Sequence, residues 1–281
     1  MNLAFGASEN ATMLFLADIG NSQTTMGLYA HDGLSGSYQA TWRVRSNADD
    51  TADSICIMLH SLLEMSPFSK WSIHRVCMAS VVPALSVSWM DAVKKTWGAE
   101  GVLCSSELAI RLGLFDADYP SIQEIGSDRV ADAIAARELY GAPLIVVDFG
   151  TATNVEVIDS RGKFIGGAIA PGVMTSADAL FSKTALIPSA SLHAPENAVG
   201  KSTAEAVRAG VVYGEAGRVD RIIEHIFDEI GSTCPVVATG GFVHIISKHS
   251  RYVTNTVPEL TLEGLRILAD AYDGREYALT E

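Results

Sequence analysis

Runs of apolar residues of strand length recur along the chain, and two of them end in the same way. The first, Leu14–Ala17, stops at Asp18-Ile19-Gly20, and the second, Leu144–Val147, stops at Asp148-Phe149-Gly150. A continuous apolar run of this length predicts a buried strand, and a glycine after the acid allows a turn at which backbone approaches a phosphate closely. The repeat therefore predicts a duplicated domain with a nucleotide held between the copies.

The same order of elements follows each copy. Alternating apolar positions and turn residues predict strands, and apolar positions at helical spacing predict helices. The strands are expected at 14–19, 24–29, 39–45, 75–82, 144–149, 153–159, 163–170 and 236–238, and the helices at 50–65, 84–97, 129–139, 203–230 and 260–272. Strands that alternate with crossover helices indicate an α/β fold.

A chain of 281 residues is long enough for two domains of about 140 residues. We expect the first at 13–125 and the second at 126–281, with the final helix able to pack back on the first domain. Residues 1–12 are expected to form a loose extension, because Met13 directly precedes the first strand.

The composition limits the classes of molecule that we expect the protein to bind. The formal net charge is −13 and no block of Lys or Arg interrupts it, which predicts a surface that repels nucleic acid and anionic lipid. An anionic small substrate stays possible at a locally basic site. No apolar run approaches the roughly 20 residues of a membrane span. The cysteines show no CxxC pair and no zinc spacing, and are expected to be reduced thiols of a cytoplasmic protein: Cys56, Cys77, Cys104 and Cys234.

The first turn, Asp18–Thr25, combines one carboxylate with several hydroxyl and amide side chains. A carboxylate does not bind phosphate directly, but it can hold Mg²⁺ or its waters, and these grip phosphate oxygens. Asn21, Ser22, Thr24 and nearby backbone N–H groups can donate to the same oxygens. An ordinary hairpin turn would use the same residue types. The repeat of the Asp-x-Gly motif at Asp148 favours the phosphate-binding interpretation.

The second turn, Asp148–Thr153, offers an acid and two threonines, which could complete a clamp around a triphosphate or a bound cation. Gly166–Gly172 is rich in glycine, and Thr239-Gly240-Gly241 follows a strand and opens a helix, which suits a nucleotide's sugar or phosphate. Each of these segments also fits a plain turn. Gly200-Lys201-Ser202 ends like a phosphate-binding loop, but Pro195 stands where its first glycine belongs, so this segment predicts a helix start.

Gly126-Ser127-Asp128-Arg129 opens a predicted helix. Ser127 or Asp128 could be a helix cap, with the acid favoured by the helix dipole. Alternatively, Asp128 could be a general base that takes the proton of an attacking hydroxyl, beside an arginine that holds a substrate carboxylate through two parallel hydrogen bonds. Spacing alone leaves both interpretations open.

Taken in order, these segments resemble the type III pantothenate kinases, which belong to the acetate and sugar kinase, Hsp70 and actin superfamily. The matching segments are 18–25, 80–83, 119–129, 148–153, 166–172, 200–205 and 260–265. The resemblance implies an α/β fold of two duplicated ribonuclease H-like (actin-like ATPase) domains with a nucleotide cleft between them. Ser127 departs from the family pattern, because alanine is usual at that position, as do Asn154 and the pair Ser22-Gln23.

The resemblance also implies site residues and cofactors. Asp128 would be the catalytic proton acceptor, and Asp18 would hold Mg²⁺, possibly through water. Asp148 would seat a monovalent cation, K⁺ or NH₄⁺. ATP would be bound by Asp18, Ile19, Gly20, Asn21, Ser22, Gln23, Thr24, Thr25 and Thr151. The substrate pantothenate would be bound by Tyr119, Gly126, Ser127, Asp128, Arg129 and Thr203, the last reaching it across the cleft or from a second copy, since these enzymes usually act as homodimers.

The predicted function is therefore ATP-dependent phosphorylation of pantothenate to 4'-phosphopantothenate, the first step of coenzyme A biosynthesis, in the cytoplasm. Two alternatives stay open: a kinase of another small hydroxy substrate, and an ATP-binding regulatory or accessory protein of the same fold without kinase activity. The three acids Asp18, Asp128 and Asp148 favour an enzyme, because a binding module does not need a general base.

Overall fold

The computed structural model describes residues 12–31, 36–66, 73–183 and 193–278. By its internal contacts the chain divides into two units. The first holds the described residues of Met1–Phe115, Ser121–Ala135 and Thr261–Glu281, and the second holds Asp116–Pro120 and those of Ala136–Leu260. The predicted extension falls at residues 1–11 outside the described residues, and Thr12 opens the first strand. Within the described ranges, no helix is both long and apolar enough to cross a membrane.

The first unit is built on a five-stranded mixed sheet. Its strands are β1 (Thr12–Ile19), β2 (Gln23–His31), β3 (Gly36–Arg45), β4 (Ile73–Ser80) and β5 (Gly101–Leu103). The sheet order is β3-β2-β1-β4-β5, antiparallel among the first three strands in sequence and parallel from β1 to β4 and from β4 to β5. Its helices are α1 (Ala52–Glu64), α2 (Pro83–Trp97), α3 (Ser106–Arg111), most of α4 (Ser127–Tyr140) and α8 (Leu260–Ala278).

Both faces of the central strand β1 are buried. Met13, Phe15, Ala17 and Ile19 join one apolar core with residues of α1 and α2, and the residues between them are also inaccessible as far as Leu16. A strand covered on both sides needs apolar residues at successive positions rather than at alternate ones. This is the physical reason for the continuous apolar run that marks the start of each copy.

The second unit repeats the sheet. Its strands are β6 (Leu144–Phe149), β7 (Ala152–Ile158), β8 (Phe164–Pro171), β9 (Val236–Thr239) and β10 (Asn255–Thr256), in the order β10-β9-β6-β7-β8. The directions also match, antiparallel for the first three strands and parallel for the last two pairings. Its helices are α5 (Val173–Lys183), α6 (Thr203–Ile230) and the short α7 (Val243–Ile246). The strand order of the first unit thus recurs strand for strand, and the predicted duplicated α/β fold is confirmed.

Local signals fix the helix starts. Thr51 caps α1 by accepting from the Ser54 N–H at 3.3 Å, and Pro83 is the first residue of α2, where its missing N–H costs nothing. Ser202 caps α6 by accepting from the Glu205 N–H at 3.2 Å, while the Glu205 carboxylate accepts from the Lys201 N–H at 2.7 Å. The predicted bounds of β6 and α6 are confirmed, and the other predicted elements are confirmed to within a few residues, except that the final helix runs on to Ala278.

Two segments beyond residue 125 belong to the first unit rather than to the second. The start of α4 is tied to the end of β4 by hydrogen bonds between Ser127 and Ser80. The helix α8 lies so close to α4 that a side chain at Gly264 would run into the backbone of Ala131. By these long-range contacts 121–135 and the described part of 261–281 lie with the first sheet.

Candidate active site

The first Asp-x-Gly turn joins β1 to β2. Asp18 lies at the end of β1, in the middle of the sheet, paired across to Thr25 on β2 and alongside Ala79 on β4. The turn is closed by the Gly20 N–H, which donates to the Gln23 carbonyl at 3.1 Å. A Cβ at Gly20 would lie 2.9 Å from the same oxygen, so the tight turn requires glycine.

The predicted phosphate donors of this turn fall into two groups. Asn21, Ser22 and Gln23 are exposed at its tip. Thr24 is buried, and its hydroxyl lies 2.9 Å from the Ser46 hydroxyl, just beyond the end of β3. The Ser46 N–H also donates to the Ser22 carbonyl at 3.0 Å. The turn is therefore braced from β3 and presents its polar tip to solvent.

Asp128 is the second residue of α4, in the first unit. Its Oδ1 accepts a hydrogen bond from the Arg129 N–H at 2.8 Å and lies so close to Gly126 that a Cβ there would overlap it. Burial raises the pKa of Asp128, while the Arg129 N–H and the Arg129 charge act in the opposite direction. A half-buried carboxylate with a raised pKa is a better proton acceptor than an exposed one. The carboxylate therefore accepts from a backbone N–H of the first helical turn, and its role as a base stays a prediction.

The two acids of this unit are connected through the end of β4. Asp18 lies alongside Ala79, and the next residue, Ser80, is hydrogen-bonded to Ser127, the neighbour of Asp128. Burial raises the pKa of the nearby Cys104 thiol to about 12, and the negative charges of Asp128 and Asp18 add to the rise. The first unit therefore brings together the predicted magnesium ligand Asp18 and the predicted base Asp128, with Arg129 buried beside the base.

In the second unit, Asp148 and Gly150 repeat the turn at the end of β6. Gly240 has a φ of +94° and lies against Asp148 and Phe149 so closely that a Cβ would overlap the carboxylate and the Phe149 backbone. The Phe242 N–H donates to the Phe149 carbonyl at 3.3 Å. The segment 239–241, noted in the sequence as a natural nucleotide contact, is packed directly on the second acid.

Thr151 lies at the tip of this turn with its side chain exposed. Its carbonyl accepts from the Gly172 N–H at 3.1 Å and from the Thr175 hydroxyl at 2.6 Å. These bonds tie the turn to the start of α5. Its shape is therefore set by backbone contacts, and the Thr151 hydroxyl faces solvent.

Tyr119 and Thr203 also belong to the second unit. The half-buried Tyr119 ring meets Phe164 edge to face, with ring centres 5.8 Å apart. Thr203 is the first residue of α6 and lines a cavity of about 650 Å³. The cavity lies between α5 and α6, and its other lining residues are Ser176, Leu180, Ala206, Val207, Gly210, Val211, Gly214, Glu215 and Arg218.

Glu215 and Arg218 are residues that sequence reasoning missed. Glu215 is buried and accepts from the Thr153 hydroxyl at 2.6 Å, and Arg218 pairs with Glu215 and donates to the Pro171 carbonyl. They tie α6 to the start of β7 and to the end of β8, the two strands that follow the second turn. An acid three residues before an arginine is typical of an exposed helix pair, but Val212, Ala216 and Val219 on the same apolar stripe were a signal that Glu215 points inward.

Comparisons with known proteins identify relatives over nearly the whole chain. A family model described as type III pantothenate kinase matches residues 14–225. A type III pantothenate kinase from Acidobacterium capsulatum is 36% identical over 261 residues, 92% of this chain and 95% of the relative, and one from a Parafrankia species is 39% identical over 257 residues, 91% and 97%. Among solved structures, the activator of 2-hydroxyisocaproyl-CoA dehydratase from Clostridium difficile, with bound ADPNP, aligns with a TM-score of 0.54 at 12% identity, covering 95% of this chain and 98% of that one.

Proposed function

Since the chain belongs to the type III pantothenate kinase family, we propose that it transfers the terminal phosphoryl group of ATP to the terminal hydroxyl of pantothenate. The product is 4'-phosphopantothenate, the first intermediate on the route to coenzyme A. The observation that carries the proposal is the connection of the two acids through the end of β4: Asp18 lies alongside Ala79, and the next residue, Ser80, is hydrogen-bonded to Ser127, the neighbour of Asp128. A phosphate-organising acid and a proton acceptor are the two carboxylates that a kinase needs.

Asp128 acts as the general base. As the hydroxyl oxygen of pantothenate forms its bond to the γ-phosphorus, the hydroxyl proton passes to the Asp128 carboxylate, and the bond from phosphorus to the ADP oxygen breaks. The N–H of Arg129 holds one carboxylate oxygen at 2.8 Å, which fixes the direction of the group. Burial raises its pKa and so strengthens it as a base. The buried guanidinium of Arg129 is placed to bind the pantothenate carboxylate.

The first turn holds the phosphates of ATP through Gly20, Asn21 and Ser22. A bound Mg²⁺ would neutralise phosphate charge, and Asp18 would hold it through water. The donors fit such an ion, because Mg²⁺ in kinases is bound by one or two carboxylates, waters and the phosphates themselves.

The second turn contributes Asp148 and Thr151. We assign Asp148 to K⁺ or NH₄⁺ and Thr151 to ATP, and the glycine contact at Gly240 supports this because it leaves a bare backbone beside the acid. We further propose a homodimer in which a second copy covers the open α5–α6 face. Support comes from the exposed apolar residues Met174 and Leu180 of α5 and from Gly210 and Gly214 of α6, which line the cavity between the two helices. The four free thiols fit a cytoplasmic enzyme.

The test is turnover by the purified chain with ATP, Mg²⁺ and pantothenate, with and without K⁺. ADP release is followed by a coupled assay, and 4'-phosphopantothenate is identified by its mass. A panel of other small hydroxy acids and sugars is assayed in parallel. If another alcohol is phosphorylated and pantothenate is not, the chain is a kinase of a different substrate. If ATP binds and no substrate is phosphorylated, the chain is a regulatory protein. Light scattering on the same sample measures the oligomeric state.

Asp128→Asn is expected to lower kcat by at least about 100-fold, because the amide cannot accept the proton. Its affinity for ATP should be unchanged. The matched control is Glu138→Gln, which removes a negative charge from the exposed end of the same helix and should leave kcat unchanged. Full turnover by Asp128→Asn would remove Asp128 from the mechanism.

A further inference from the structure

The hydroxyl of Ser127, the first residue of α4, both accepts and donates a hydrogen bond. Its Oγ accepts from the Ser80 N–H at 2.8 Å and donates to the Ser80 carbonyl at 3.0 Å. The Ser127 carbonyl in turn accepts from the Cys104 thiol at 3.6 Å. The side chain is only 9% exposed. Its one proton is committed to Ser80, so the hydroxyl is not a donor toward a substrate.

Ser80 needs this partner because of its place in the sheet. On β4, the N–H of the next residue, Val81, donates to the Ile19 carbonyl on the β1 side, while the Met78 carbonyl accepts from the Cys104 N–H on the β5 side. Polar groups alternate between the two sides along a strand, so those of Ser80 point toward β5. The pairing with β5 ends at Met78 and Leu103. The Ser127 hydroxyl therefore takes the place of a further β5 residue.

We propose that Ser127 is a positioning residue, whose hydroxyl fixes the first turn of α4 to the end of β4 and thereby places the neighbouring Asp128 carboxylate for proton transfer. The inference rests on the proposed kinase function. Asp128 is confined on its other sides by the α-carbon of Gly126 and the N–H of Arg129. The attachment of the helix start to the sheet then sets where the first turn of α4, and with it the carboxylate, lies relative to β4.

A change in the position of the Asp128 carboxylate can be measured through its pKa, because its burial raises that pKa. The charge of Arg129, on its own helix, lowers the pKa of the carboxylate, and the buried Cys104 thiol beyond β5 lies beside the same helix start, since it donates to the Ser127 carbonyl. Without the Ser127 bonds, the turn can shift and the carboxylate can move toward water. A better hydrated carboxylate loses its proton more readily. The acidic limb of the pH–rate profile should then move to lower pH while the plateau falls.

The experiment compares Ser127→Ala with the wild-type enzyme in steady-state kinetics across the acidic range. We expect kcat to fall about fivefold, since small displacements of a reacting group cost part of the hundredfold penalty of a 1 Å error. The KM for ATP should be unchanged and the acidic limb should shift to lower pH. Ser127→Thr keeps the hydroxyl and is expected to restore both kcat and the profile.

The matched control is Ser106→Ala. Ser106 is another buried serine of the first unit, 2% exposed, and its hydroxyl donates to the Ile122 carbonyl at 2.7 Å. It should lose stability without a change in kcat or in the acidic limb. If Ser127→Ala behaves like this control, the hydroxyl only stabilises the fold and the inference is overturned. Should Ser127→Ala not fold, Ser127→Cys, with its weakly bonding thiol, carries the same expectation. An inactive wild type would instead refute the proposed function.

Discussion

Gly264 on α8 is the position at which one added methyl group tests the packing of the first unit most directly. A Cβ there would lie within 3 Å of three backbone atoms of Ala131 on α4: the carbonyl oxygen, the carbonyl carbon and the α-carbon. No side-chain rotation relieves an overlap with backbone. Gly264→Ala must therefore push the two helices apart, and α4 is the helix that carries Asp128.

The size of the effect follows from the overlap. Carbon atoms in contact are ordinarily about 3.5–4.0 Å apart, so the helices would have to separate by about 1 Å. Overpacking of a buried contact typically costs about 1–3 kcal/mol. Alanine in a helix is worth about 1 kcal/mol over glycine, which offsets part of this. Because the overlap is with three backbone atoms, the cost should lie at the upper end of that range, so we expect the free energy of unfolding of the first unit to fall by about 2 kcal/mol, and kcat to fall with it because Asp128 moves.

Tryptophan fluorescence in a urea titration reports on the first unit, because the tryptophans among the described residues, Trp42, Trp89 and Trp97, belong to it. The midpoint and the slope give the free energy of unfolding for each variant. Gly217→Ala is the matched control, since Gly217 lies within α6 and a Cβ there meets nothing within 4 Å. It should not lower the stability. A Gly264→Ala protein as stable as wild type would refute the close contact between α8 and α4.

Two further predictions concern charge. The side chain of Asp270 on α8 accepts from His31, Arg75 and Arg266 and is 31% exposed. Asp270→Ala should lower the free energy of unfolding of the first unit by about 1–2 kcal/mol, and by less in high salt. An unchanged free energy of unfolding in urea titrations would mean that solvent screens these ion pairs fully. Burial raises the pKa of Asp128 above its unfolded value, so the folded state holds that proton more tightly and the free energy of unfolding falls as pH rises through this window. Asp128→Asn should therefore be more stable than wild type at neutral pH and lose that advantage below the ordinary pKa of aspartate; equal stabilities at neutral pH would contradict the raised pKa.

Most of the fold could be predicted from local patterns. β6 and α6 have the predicted bounds, because a strand buried on both faces and a capped amphipathic helix each leave a signal within their own sequence. β5 and β10, of three and two residues, were missed. Segments this short contain no full period of alternation, and they are strands only because β4 and β9 lie beside them.

The candidate site was predictable as a set of residues but not as an arrangement. The acids are visible in motifs, whereas the bond that places Asp128 in the first unit joins Ser127 to a residue 47 positions earlier. The contact of Gly264 with Ala131 spans a still longer stretch of chain. No local pattern encodes such contacts. The same is true of the buried pairing of Glu215 with Thr153, 62 positions apart, although the apolar neighbours of Glu215 carried a weak signal.

The two Asp-x-Gly turns end equivalent strands of equivalent sheets, yet their surroundings differ. Asp148 is packed against Gly240, a residue of its own unit that follows the strand beside it. Asp18 instead shares the first unit with 121–135, a segment that comes after most of that unit in the chain and brings Asp128 with it. A duplication by itself would give two equal phosphate turns and no reason for catalysis to occur at one of them. The inserted helix start supplies that asymmetry, because it brings the proposed base Asp128 into the first unit, and the hydroxyl of Ser127 joins the inserted turn to the sheet.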